Sequence, residues 1–71
     1  MSSHEVEHAR EMLEQIAANY GWDTDSARAA ESVASHIRRF WPPELRRRLT
    51  EAAGKGECAL SPLAAAALQR A

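Results

Sequence analysis

His4-Glu5-Val6-Glu7-His8 is an H-E-x-x-H string. On a helix this pattern sets two imidazoles one turn apart for zinc, with the first glutamate as general base. The spacing suits that chemistry and the context does not. The string lies at the N-terminus, where helices fray. A catalytic zinc takes three protein ligands and a water, and the third histidine, His36, is distant in sequence. Seventy-one residues are also too few to wrap a substrate cleft around such a site. We therefore expect no catalytic residue, no resident metal and no cofactor. Adventitious zinc or nickel binding by His4 and His8 stays open.

Cys58 is the single cysteine. A thiol nucleophile needs a base to activate it. No histidine stands near Cys58 in sequence, so it reads as a loop thiol. Gly54-Lys55-Gly56 is a bare G-x-G, not a phosphate-binding loop, and CxxC metal clusters are absent from the sequence.

What remains is cationic. Five of the nine basic residues, Arg38, Arg39, Arg46, Arg47 and Arg48, lie in or just after the stretch 36–46. The same stretch holds Phe40-Trp41-Pro42-Pro43, so a folding corner and a cationic face share one place. Trp, Tyr and Arg dominate binding hot spots. Arg38, Arg39, Phe40, Trp41, Arg46 and Arg47 are accordingly the candidate partner-binding residues. Adjacent rings on a helix point about 100° apart. One of Phe40 and Trp41 should close the corner while the other faces outward, and the sequence does not say which. Tyr20 and Trp22 bring the large aromatics to more than so small a core can take, so some are expected at the surface.

These side chains need elements to hold them. Val6, Ala9, Leu13, Ile16 and Tyr20 recur at spacings of three and four, a single helical stripe. Ser2 and Glu5 offer a capping box, and Gly21 suits a left-handed residue after the helix. Helix 1 is thus expected from about 3 to 20, with Glu7, Glu11 and Glu14 as its outer acids. Asp23-Thr24-Asp25-Ser26 is a cluster of N-cap residues. Beyond it Ala27, Ala30, Val33, Ala34, Ile37, Phe40 and Trp41 line one side of helix 2, and the alanines should let helices 1 and 2 approach closely. Helix 2 should stop near Trp41, because a residue before proline is pushed out of helical geometry. Pro43 suits the first position of helix 3, whose stripe is Leu45, Leu49 and Ala52 and whose end is Gly54 and Gly56. After a short loop over 54–60, Ser61 caps and Pro62 opens a last helix with Leu63, Ala67 and Leu68 on its apolar side. Ala64–Ala67 has high helix propensity. No segment alternates like a strand. The fold class is all-α, a small bundle of three to four short helices, and residues 1–71 read as one domain.

Size and charge narrow the function classes. A chain this short buries roughly 60% of the surface that its unfolded form exposes, so its own core is marginal. Such chains lean on disulfides, metals or a partner, and one cysteine forms no internal disulfide. A homodimer of the isolated chain is compatible with so small a core. The N-terminus lacks the basic start and apolar run of a signal peptide. No apolar stretch approaches the roughly 20 residues of a membrane span. A cytoplasmic chain with no membrane association is the expectation. The formal net charge of −1 conceals an asymmetry. Residues 1–26 hold six acids and one base, and residues 27–50 hold six bases and two acids. A helix–corner–helix with arginines invites a small DNA-binding or adaptor regulator as the alternative function. Against DNA or RNA stand the acidic overall balance and a Pro-Pro corner stiffer than the usual glycine-containing turn.

The run Glu31-Ser32-Val33-Ala34-Ser35-His36-Ile37-Arg38-Arg39-Phe40-Trp41-Pro42-Pro43 resembles the delta subunit of NAD-dependent, molybdenum-containing formate dehydrogenases, which reads in outline VAxHIRRFWDPRMR. Met12-Leu13-Glu14-Gln15-Ile16-Ala17 is similar to that family's MANQIA helix, and Leu60-Ser61-Pro62-Leu63 to its closing LDPL. The three matches fall in order. Pro42 stands where the family often has a capping Asp, and Glu14 replaces an Asn. The N-terminal H-E-x-x-H lies outside the pattern. The resemblance implies a non-catalytic accessory subunit without a redox centre or cofactor of its own. Its implied partner is the catalytic (alpha) subunit of the cytoplasmic enzyme, which carries the molybdopterin guanine dinucleotide and iron–sulfur clusters. Its implied role is in assembly, cofactor loading or stability of active enzyme. Whether the subunit stays in the mature enzyme is not legible in the sequence.

Overall fold

The computed structural model describes residues 2–71, with side chains from His4 onward. Four helices follow one another: α1 (Ser2–Ala18), α2 (Ser26–Phe40), α3 (Pro43–Gly54) and α4 (Pro62–Arg70). The all-α expectation holds. Each start is set by local chemistry. Asp25 caps α2 by accepting from the Arg28 N–H at 3.1 Å. Pro43 opens α3, where a missing N–H costs nothing. Ser61 caps α4, its hydroxyl accepting from the Ala64 N–H at 3.3 Å. The proposed capping side chain of Ser2 lies outside the described side chains.

The ends differ more from expectation. Helix 1 stops at Ala18, two residues early, and Gly21 is not left-handed. The chain leaves α1 through tightened turns in which Tyr20 N–H donates to Ala17 O at 3.0 Å and Gly21 N–H to Ala18 O at 3.3 Å. Such three-residue closures satisfy the last carbonyls without any positive φ. Helix 3 does use its glycine. Gly56 has φ of 75°, with Glu57 N–H donating to Ala52 O and Gly56 N–H to Ala53 O at 2.9 and 3.1 Å. This is the Schellman arrangement, which favours glycine at that position.

The core joins Ala9, Leu13 and Ala17 of α1 with Val33 and Ile37 of α2, Trp41, Leu49 of α3, and Ala64, Ala67 and Leu68 of α4. Val6, Ile16, Tyr20, Leu45 and Leu63 pack against it half-buried. The pairing of helices corrects one expectation. Helix α2 packs chiefly on α4 rather than on α1, and α1 packs chiefly on α3. Ala29, Ala30 and Ala34 are buried on α2 and Ala64 and Ala67 on α4, so both partners of this pair bury small residues. Ala27, placed in the stripe by periodicity, is exposed, and Ala29 takes its place.

A second correction concerns Glu14. It is not an outer acid. Its carboxylate accepts from the Ser61 N–H and the Ser61 hydroxyl, both at 2.8 Å. The hydroxyl therefore donates to α1 while accepting from α4, using both of its capacities. A negative charge beside the N-terminus of α4 also complements the helix dipole. Glu14→Ala should cost about 1.5–3 kcal/mol, the range for a hydrogen-bonded charge. A urea denaturation midpoint equal to the wild-type value would show the tether to be dispensable.

Candidate partner-docking face

The arginine-rich corner does not form a single cationic face. Arg38 turns back onto α4. Its guanidinium donates to the Arg70 carbonyl at 2.8 Å and to Glu31 Oε2 at 2.6 Å, and Arg70 reaches the other Glu31 oxygen at 3.5 Å. The Arg38 hydrogen bond, with its charge and the added pull of Arg70, holds the Glu31 carboxyl below the usual range. Arg47 pairs with Glu44 at 2.9 Å and approaches Glu51 at 3.8 Å. Arg48 pairs with Glu5 and lies 3.4 Å from Glu44. Hydrogen bonding to Arg47 is the main reason the Glu44 carboxyl titrates low. Exposed pairs of this kind add little stability, yet they occupy the charges.

Two corner cations have no carboxylate partner among the described residues, Arg39 and Arg46. Arg46 is half-buried along α3, and its Nε is buried with no hydrogen-bond partner. Arg39 is exposed, its guanidinium carbon 5.7 Å from the centre of the Phe40 ring. Phe40 is 66% exposed, while Trp41 is 8% exposed and sits in the core. The one-in, one-out arrangement expected for the two rings is realised, with Trp41 closing the corner. Its backbone N–H donates to Ile37 O at 2.9 Å, completing the last turn of α2.

Phe40 stands at one end of an open groove of about 410 Å³ along α2. Tyr20, Arg28, Ser32, Ser35, His36 and Arg39 line it, with Glu31. The His36 ring lies 4.8 Å from Phe40, tilted by 47°. Arg28 is held by Asp23 through two hydrogen bonds at 2.8 and 2.9 Å. The Asp23 side chain is 4% exposed, and these bonds together with the Asp25 N–H at 3.0 Å keep its carboxyl below its ordinary value. The folded pKa is depressed, so the contribution is present above the unfolded value near 4 and is lost as pH falls through the folded one. Acidification into that window should fray the start of α2. Amide exchange at Arg28 and Ala29 should accelerate there in the wild type and already at neutral pH in Asp23→Asn.

Trp22, on the turn between α1 and α2, is 72% exposed. Sequence reasoning named it among the surplus aromatics without assigning it to the face. The H-E-x-x-H side chains His4 and His8 are exposed, and Glu5, the would-be base, is engaged by Arg48. No cluster of three metal-binding side chains occurs among the described residues. No described helix is long and apolar enough to cross a membrane.

Residues 11–68 match the family model for FdsD, the NADH-dependant formate dehydrogenase delta subunit. The chain belongs to this family. The match runs from within α1 into α4 and includes all six corner residues, leaving the H-E-x-x-H string outside. No curated protein and no solved structure matched significantly. Membership of a delta-subunit family implies association with other subunits of formate dehydrogenase.

Proposed function

We propose that this chain is a non-catalytic accessory subunit that binds the catalytic (alpha) subunit of a cytoplasmic NAD-dependent formate dehydrogenase. It supports assembly, cofactor loading or stability of the active enzyme. The observation that carries the proposal is the family match across residues 11–68. The surface agrees with a binding role, since Phe40 and Trp22 stand outside the core. Residues 1–71 act as one unit in this reading. Docking runs through the corner between α2 and α3, where Arg39 and Phe40 are exposed, with Arg38, Arg46 and Arg47 as its further cations and Trp41 holding the corner from within.

The test is genetic and biochemical. Removing the chain from cells that carry the enzyme should lower complex yield, molybdenum content and formate oxidation, and restoring a tagged copy should recover all three. The tagged copy should also retrieve the catalytic subunit. Unchanged molybdenum content and activity without the chain, together with no retrieval, would exclude the accessory role.

A further inference from the structure

We infer that the groove along α2 between Tyr20 and Phe40 receives a peptide segment of the partner subunit that carries an apolar side chain beside an Asp or Glu. The inference rests on the docking reading above and narrows it from the whole corner to one groove.

Charge occupancy makes the choice. Along this groove Arg28 is committed to Asp23, and Glu31 is committed to Arg38 and Arg70. Arg39 is the lining cation left without a carboxylate among the described residues. A planar guanidinium pairs bidentately with a carboxylate, and its charge does not titrate. The apolar half of the site is Phe40, with the tilted His36 ring against it and its exposed surface open to a side chain. Between the two ends, half-buried Ser32 and Ser35 offer hydroxyls to the backbone of an incoming segment. Arg39 over Phe40 is already arranged as a cation on an aromatic face, so little ordering is needed on binding.

A nucleic-acid backbone fits this groove poorly. Phosphate binding draws on several free cations acting together, and this groove offers one beside a carboxylate, Glu31. On the α3 side Arg47 is already paired on both sides, and Arg46, though without a carboxylate, is half-buried with its Nε out of reach of solvent.

The experiment co-expresses the tagged full chain with the formate dehydrogenase catalytic subunit and measures retrieval. Arg39→Glu and Phe40→Asp should each reduce retrieval ~10-fold or more, the scale of a lost hot spot. Arg39→Lys should fall between wild type and Arg39→Gln, because it keeps the charge and loses the fork. Added salt should weaken retrieval by wild type more steeply than retrieval by Arg39→Gln. Arg47→Glu should lose less than Arg39→Glu. Reversing Glu7 and Glu11, exposed acids of α1, is the control, and circular dichroism of each variant should show wild-type helix content. Wild-type retrieval by the Arg39 and Phe40 variants, or equal losses from Arg47→Glu and Arg39→Glu, would overturn the groove while leaving the docking reading standing. Failure of the wild type to retrieve the subunit would remove both. Binding of labelled duplex DNA that Arg39→Glu abolishes would overturn the carboxylate partner.

Discussion

Trp41→Ala is expected to unfold the chain under conditions where Phe40→Ala leaves it folded. The two residues are neighbours of similar chemistry, and their surroundings differ completely. Trp41 shares the core with Leu13, Ile37 and Leu49, whereas Phe40 projects from the end of α2. Truncating a buried Trp costs about 3–5 kcal/mol, transfer and cavity together. A chain of this size has a total stability on the order of 4–11 kcal/mol. The loss at Trp41 thus consumes much or all of it. An exposed substitution falls within about 0.5 kcal/mol. Thermal melts followed by circular dichroism decide the matter. Cooperative melting of Trp41→Ala near the wild-type temperature would mean that the ring does not close the corner, and loss of folding in Phe40→Ala would mean that its exposure is misjudged.

Leu13→Ala and Ile37→Ala are expected to cost about 2–5 kcal/mol each. Both side chains are fully buried, on different helices of the same cluster. Neither site has surplus chain to collapse into the space, because the flanking positions are alanines in regular helices: Ala9 and Ala17 on α1, Ala34 on α2. Urea unfolding gives the midpoint shift, and an unchanged slope would show that the compactness of the end states is preserved. A midpoint near wild type in both variants would contradict the assignment of these residues to the core. Because the two share neighbours, the double variant is not expected to show the sum of the single effects.

Local features were legible in the sequence and long-range ones were not. Asp25, Pro43 and Ser61-Pro62 announced three helix starts, since capping chemistry acts within three or four residues. Gly56 announced one end. Gly21 misled, because tightened backbone turns satisfied the helix end and left the glycine's freedom unused. Periodicity showed that the alanines of α2 share a face, but a face does not name its partner, and α4 rather than α1 covers it. The corner arginines were found as a cluster. The partners of Arg47, Glu44 and Glu51, lie within one helical turn, but Glu31, Glu5 and the Arg70 carbonyl lie two turns back or on other helices, so no short window could show that Arg38 was already occupied or that Arg48 reaches α1. Glu14 failed in the same way, its partner Ser61 standing at the opposite end of the chain.

The order of helix pairing has a further consequence. The two main partnerships, α1 with α3 and α2 with α4, interleave along the chain. A cut between α2 and α3 therefore separates both pairs at once, and neither half retains its main partnership. During synthesis, α1 and α2 emerge with apolar faces that remain uncovered until their partners follow, and α2 waits for α4. Partial structures gain little from each other, which favours all-or-none folding, and the loops that bring the pairs together must close before burial rewards them. A nascent or truncated chain should accordingly behave as a weakly ordered polymer, vulnerable to proteases, until its final helix arrives.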